Sequence, residues 1–323
     1  MLGGAYLKAF QKDPMNVCVG ISRNKKLAGA LCEHPILADI GTPKGIDKTY
    51  AELRRITHPG DCQAPVKITL IYAVGPFDWQ GHPDLGDPQR LPDPKIWKMN
   101  FVAFKDLLGA VDELAQELRM NSKQAVNVNV MGLSSVSLPR EDSQLWPAYS
   151  EAKDQMEIHI ERYAARRDRD IRRSGLVVRT STIKTDAEMA MRHGAPPEVQ
   201  AHWLSVEDLV NETIPSLLAM VPHSYRVHDV ISTLSGHTPE IHTLEPAYQR
   251  WREQITITEP DRARPPIGAG EGEKGALVIV TQEDIDSRRP IEASVGEDVT
   301  RSQTWRNRQK KRSQPFITSR IEG

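Results

Sequence analysis

The chain is expected to fold as an α/β protein, a doubly wound parallel sheet with helices on both faces. Three observations lead there. First, Gln124–Ser137 alternates apolar and polar residues and ends in a cluster of small hydroxyls, as a strand does that delivers serines to its carboxyl end. Second, Glu151–Arg173 is helix-like and highly charged, and Gly175–Arg179 after it is a short buried strand. Third, strand, hydroxyl-bearing loop, helix and strand in that order make a parallel crossover, which brings the reactive groups to the carboxyl ends of the strands.

From the amino terminus, Gly3 and Gly4 followed by Ala5–Phe10 read as the end of a glycine-rich turn and a first helix. Asn16–Ile21 is a short apolar strand running into the basic turn Ser22-Arg23-Asn24-Lys25-Lys26. Residues 76–94 hold five prolines and form a long turn-rich loop. Tyr149 and Lys153 are four residues apart, so a helix stacks a phenol and an ammonium on one face. The positive charge favours phenolate and lowers the tyrosine pKa, and a tyrosine tuned this way exchanges a proton near neutral pH. Composition changes near Gly236, after which Pro, Gly and charge dominate. This divides the chain into residues 1–236, a catalytic domain, and 237–323, an irregular, partly disordered extension.

On the Tyr149/Lys153 pair, the serines upstream and the strand downstream, the chain resembles the short-chain dehydrogenase/reductase family. The resemblance implies that Tyr149 exchanges a proton with a carbonyl or alcohol oxygen as hydride moves to or from a nicotinamide. Lys153 would hold the nicotinamide ribose and depress the Tyr149 pKa. Ser135 would orient the substrate oxygen, and Asn100 would link Lys153 to solvent through a water. Leu37–Ile40 resembles the family's third strand, with Asp39 on the adenine, and Lys67–Gly75 its fourth, where Gly75 alone survives of an Asn-Asn-Ala-Gly motif. Gly175–Asp186 resembles the sixth strand and its Thr185-Asp186 loop, with Ser181-Thr182 in place of the usual Pro-Gly. Leu204–Val210 resembles the start of the next helix and Val230–Gly236 the last strand.

Gly3, Gly4, Ser22, Arg23, Asp39, Gly75, Lys153 and Thr185 are thereby the expected cofactor-binding residues. Arg23, just after the second strand of the family's sheet, favours NADP(H) over NAD(H), because a guanidinium binds the ribose phosphate bidentately. The implied activity is the interconversion of a small-molecule carbonyl and alcohol by a cytoplasmic homo-oligomer, a dimer or tetramer. Glu157, four residues after Lys153, is also found in the nucleotide-sugar epimerase and dehydratase branch and keeps that class open. A non-catalytic scaffold or sensor is the third reading.

Sheets of this kind begin with a central strand leading into a glycine-rich turn that receives the cofactor pyrophosphate. The sequence begins after that strand. Its loss would expose the edges of two neighbours and cost more than the roughly 5 to 15 kcal/mol that holds a domain together. Three explanations stand side by side: a start upstream of Met1, a substitute strand from elsewhere, or a degenerate relative. Ala276–Val280 has the composition of a buried strand and is the candidate substitute, to be tested with Val278 and Ile279 changed to Asp.

Composition narrows the alternatives. The 323 residues carry a formal net charge of −1, so there is no global pull toward nucleic acid or membrane. Even the basic run Arg306–Arg312 is a solvated tail rather than a nucleic-acid patch. No apolar run is long enough to span a bilayer. Cys18, Cys32 and Cys62 are few and lack metal-ligand spacing, which fits a reducing compartment, and no metal is expected.

Overall fold

Among the described residues nine strands follow in chain order: β1 (Asn16–Ser22), β2 (His34–Leu37), β3 (Val66–Tyr72), β4 (Val126–Ser135), β5 (Ile171–Thr180), β6 (Ile183–Lys184), β7 (Leu204–Ser205), β8 (Tyr225–Val230) and β9 (Gly275–Gln282). The helices are α1 (Leu2–Phe10), α2 (Pro43–Thr57), α3 (Pro94–Trp97), α4 (Ala103–Ser122), α5 (Pro147–Ala164) and α6 (Val206–Leu218), with a π-helical turn, Lys98–Val102, joining α3 to α4. These come from a computed structural model that describes residues 2–24, 32–57, 66–75, 94–122, 125–136, 147–185, 200, 203–231 and 275–282. No helix among the described residues is long and apolar enough to cross a membrane.

Seven strands form one sheet in the order β2-β1-β9-β3-β4-β5-β8. All run in one direction except β9, which is antiparallel to both β1 and β3. The doubly wound order 3-2-1-4-5-6 places its first strand between the second and fourth. Here β9 holds that place. Asn16–Ser22 pairs with Thr281–Gly275 on one side of it, and Val66–Tyr72 pairs with Gln282–Ala276 on the other. A run of small and β-branched residues suits a strand flanked on both sides, and Ile279 is 1% exposed.

The two faces of the sheet carry separate cores, set by the two-residue alternation of side chains. Ile68, Leu70, Val128 and Val130 face one cluster with Leu107 and Val111 of α4 and Met156 and Ile160 of α5. Ile71, Met131, Leu176, Val178 and Ile279 face the other, with Tyr6, Leu7 and Phe10 of α1 and Leu209 and Val210 of α6. The Tyr6 hydroxyl and Thr213 Oγ1, 2.7 Å apart, tie α1 to α6. Helix α5 lies close to the sheet because Gly132 and Gly175 lie beneath it. A Cβ at Gly175 would come within 2.5 Å of Ile160 Cγ2, and one at Gly132 within 2.6 Å of Ile160 Cδ1.

Four boundaries differ from the sequence expectation. The helix after Tyr149 ends at Ala164, and Ile171–Arg173 belongs to β5. Arg173 can enter a buried strand because Asp112 of α4 accepts from its Nε at 2.8 Å and its Nη2 at 3.3 Å. The strand expected at Leu37–Ile40 is His34–Leu37. Asp39 instead turns the chain into α2, its Oδ1 accepting from Gly41 N–H and its carbonyl from Thr42 N–H and Oγ1–H. The last parallel strand expected at Val230–Gly236 is Tyr225–Val230, registered against Gly175–Thr180; as an edge strand it tolerates Arg226, His228 and Asp229. Finally, β9, which falls in the stretch expected to be an irregular extension, is a strand of the sheet, and the described residues all lie in the unit 1–284. Residues 237–274 and 283–323 of the expected extension, and the proline-rich loop up to residue 93, lie outside the described residues.

Candidate active site

Because α5 returns between β4 and β5, its amino end lies at the carboxyl edge of the sheet. Lys153 projects from that end and is 2% exposed. Its Nζ donates to the carbonyls of Val74, just past β3, at 2.9 Å, and of Leu133, near the end of β4, at 2.8 Å. An ammonium has three donors, and these two bonds use two of them. Burial pulls the Lys153 ammonium down to about 7, with the Glu157 charge opposing. Tyr149, half-buried, is one turn earlier on the same face, and Lys153 Nζ lies 5.6 Å from the centroid of its ring. The pair read from the sequence is thus one cluster.

Asn100 belongs to the π-helical turn and is fully buried. Ala103 N–H closes that turn on Lys98 O, five residues back, and Asn100 Nδ2 donates to Ile96 O at 2.9 Å. Such wide turns often accompany functional sites, because they re-aim a side chain out of the helical ladder. Gly75 joins the two groups: a Cβ on it would lie 3.6 Å from Lys153 Nζ and 3.9 Å from Asn100 Oδ1. Ser135 is the last residue of β4, buried, opposite Thr180 of β5 and two residues beyond the carbonyl that holds Lys153. Asn100, Ser135, Tyr149 and Lys153 are therefore gathered at the carboxyl ends of β3 and β4.

The expected nucleotide-binding residues lie along the same edge. Ser22 ends β1, its Oγ accepts from Asn24 N–H at 3.1 Å, and Arg23 between them is exposed. Asp39 is half-buried at the turn into α2. Asn16 Nδ2 donates to Phe10 O, so the carboxyl end of α1 meets the start of β1. The amino end of α1, with Gly3 and Gly4 in its first turn, thus points toward the carboxyl edge. Thr185 follows β6 in a tight turn, its N–H bonded to Ile183 O at 2.8 Å. The residue of the central strand nearest this edge is Gly275, paired with Ser22.

One group of side chains was not expected from the sequence as a unit. Glu157, fully buried, accepts from Ser134 Oγ at 2.5 Å and from Arg179 Nε and Nη2 at 3.1 and 2.6 Å. Burial alone would lower the Arg179 guanidinium, but the charge and hydrogen bonds of Glu157 outweigh it and push it up. Two signals pointed here: an acid one turn after Lys153, and an arginine ending the apolar run Gly175–Val178.

No protein-family model matches the chain, and no curated protein does. Solved structures do match. A short-chain dehydrogenase from Bacillus anthracis superposes with a TM-score of 0.52 at 13% identity, over 74% of this chain and 94% of that one. The KRED1-Pglu enzyme gives a TM-score of 0.52 at 16% identity, over 70% of this chain and 95% of its own. At such identities the likeness establishes the fold: an α/β, Rossmann-like doubly wound sheet of the kind a short-chain dehydrogenase has, spanning nearly the full length of both relatives.

Proposed function

We propose that the protein is an NADP(H)-dependent oxidoreductase of the short-chain dehydrogenase/reductase type, interconverting a small-molecule carbonyl and alcohol with Tyr149 as proton donor and acceptor. The observation that carries this reading is Lys153, a buried cation held by two strand-end carbonyls and packed against the ring of Tyr149. Burying an ammonium with no directly paired carboxylate among the described residues costs stability, and such a group is kept where its charge is used. Bound nicotinamide would supply the hydride chemistry. The residues present fit such a group: bare backbone at Gly75 borders the ammonium, and the bonds to described residues use two of the three Lys153 donors.

Tyr149 gives its proton to the carbonyl oxygen in the reductive direction and takes one from the alcohol in the other. Lys153 favours the tyrosinate by its charge. Ser135 holds the substrate oxygen, and Asn100 connects Lys153 to solvent through a water. Gly3 and Gly4 offer the first amides of α1 to a pyrophosphate. Arg23 and Ser22 take the phosphorylated ribose, Asp39 the adenine, and Gly75 and Thr185 border the nicotinamide. Cys18 and Cys32 are free thiols, which supports a cytoplasmic setting. A homo-oligomer belongs to the same reading.

The test is titration of the full chain with NADPH and NADH, followed by tryptophan quenching and energy transfer to the reduced nicotinamide. Saturable binding that prefers NADPH, with turnover of a carbonyl panel abolished by Tyr149→Phe, is the expected result. A folded chain that binds neither dinucleotide would contradict it and return the protein to the scaffold class.

A further inference from the structure

Glu157 and Arg179 form a buried ion pair that the proposed proton transfer does not use. We propose that Glu157 is a positioning residue of the site: clamped by Arg179 and Ser134, it fixes the end of β4, and it sets a negative charge one helical turn from the Lys153 ammonium. This rests on the functional reading above.

The geometry couples three elements. Glu157 is one helical turn beyond Lys153 on α5, while Ser134 and Arg179 are Cα partners on the adjacent strands β4 and β5. One carboxylate thus fastens the helix to two strands. Ser134 lies between Leu133, whose carbonyl holds Lys153 Nζ, and Ser135, the substrate-orienting hydroxyl. Slack at Ser134 would displace both. Replacing such a pair by apolar groups is commonly neutral or stabilising, so stability alone is a weak reason for its presence.

The charge argument depends on what faces each group. Lys153 is faced by the Tyr149 ring, and Glu157 is the charge that acts on it. Arg179 is faced by Glu157 and by Tyr225 and Asp229 of β8, and Tyr225 in turn by Asp154 and Glu161 of α5. Glu157 opposes the effect of burial on Lys153, so its removal makes the lysine lose its proton at lower pH.

Three variants of the full chain separate this from a merely structural role. The Lys153 ammonium is followed by nitrogen-15 NMR, its resonance assigned by its absence in Lys153→Met. Glu157→Gln should lower its titration midpoint by about one pH unit. The alkaline limb of the kcat profile should move down by the same amount, while Glu157→Asp restores both in part. Ser134→Ala keeps the charge and should leave that titration in place while kcat falls about tenfold, the expected cost of a displaced reacting group. A folded Glu157→Gln with the wild-type midpoint and pH profile overturns the proposal. If Glu157→Gln does not fold, Ser134→Ala decides: wild-type kcat overturns it, and a tenfold loss with the fold intact supports it. Should no carbonyl substrate turn over while the Glu157→Gln midpoint still falls, the functional reading fails and the coupling of Glu157 to Lys153 stands.

Discussion

The two halves of the sheet are built differently. β3, β4, β5 and β8 are parallel neighbours joined through helices, and they carry Asn100, Ser135, Tyr149 and Lys153. β1 and β2, with α1, carry the nucleotide-side residues Gly3, Gly4, Ser22, Arg23 and Asp39, and β1 pairs with no strand of the first half. Two strand spacings, roughly 10 Å, separate β1 from β3. β9 fills that gap. Because it hydrogen-bonds along both, the carboxyl ends of β1 and β3 stay level, and the two sets of residues share one edge. A central strand can do this whichever way it runs; what an antiparallel one does not do is lead into α1.

The comparison breaks most severely at Ile279. Ile279→Asp places an unpaired carboxylate in the core formed with α1 and α6, at a cost of about 5 kcal/mol or more. Loss of the cooperative urea transition is expected, and a soluble, fully stable variant would show that β9 is dispensable. Within the first half, Lys153→Met should reduce turnover by about 10² to 10⁴-fold while the chain stays folded by circular dichroism. Gly175→Val, which drives a side chain into Ile160, should destabilise by about 1 to 3 kcal/mol in urea. In the second half, Arg23→Ala should weaken NADPH by about tenfold and leave NADH unchanged, a smaller and purely nucleotide-side effect.

A pH test sharpens the contrast between site and scaffold. Arg173 of β5 and Lys153 of α5 are buried cations at opposite edges of the sheet. Arg173, at the amino edge, is hydrogen-bonded to Asp112, lies within 4 Å of Asp168 and stacks on Tyr163. Lys153, at the carboxyl edge, has two carbonyls and is pulled down to about 7. Its folded value lies below its unfolded value of 10.5, so the unfolded chain binds more protons between them and the charge disfavours folding most at low pH. Wild type should therefore gain stability relative to Lys153→Met as pH rises from 6 to 9. A pH-independent difference in urea midpoints would contradict the buried ammonium.

Much of the first half was legible because its signals are local. The Tyr149/Lys153 spacing, the alternation in β4 and the run Leu204–Val210 at the start of α6 all lie within a few residues. The start of β5 was missed because Arg172 and Arg173 continue a charged run, and the Asp112 carboxylate that Arg173 donates to lies 61 residues away. The π-helical turn at Asn100 and the clamp on Glu157 also depend on partners brought by the fold. For β9, composition marked Ala276–Val280 as a buried strand, but its place and direction follow from the two edges it joins, which no local pattern reveals.

Amide hydrogen exchange in β1 and β3 tests the bridging role of β9 most directly, compared between a chain ending at Asp284 and one ending at Lys274. Protection equal to the full chain in the first, and lost from both strands in the second, is the predicted result. Unchanged protection of β1 and β3 in the chain ending at Lys274 would contradict it.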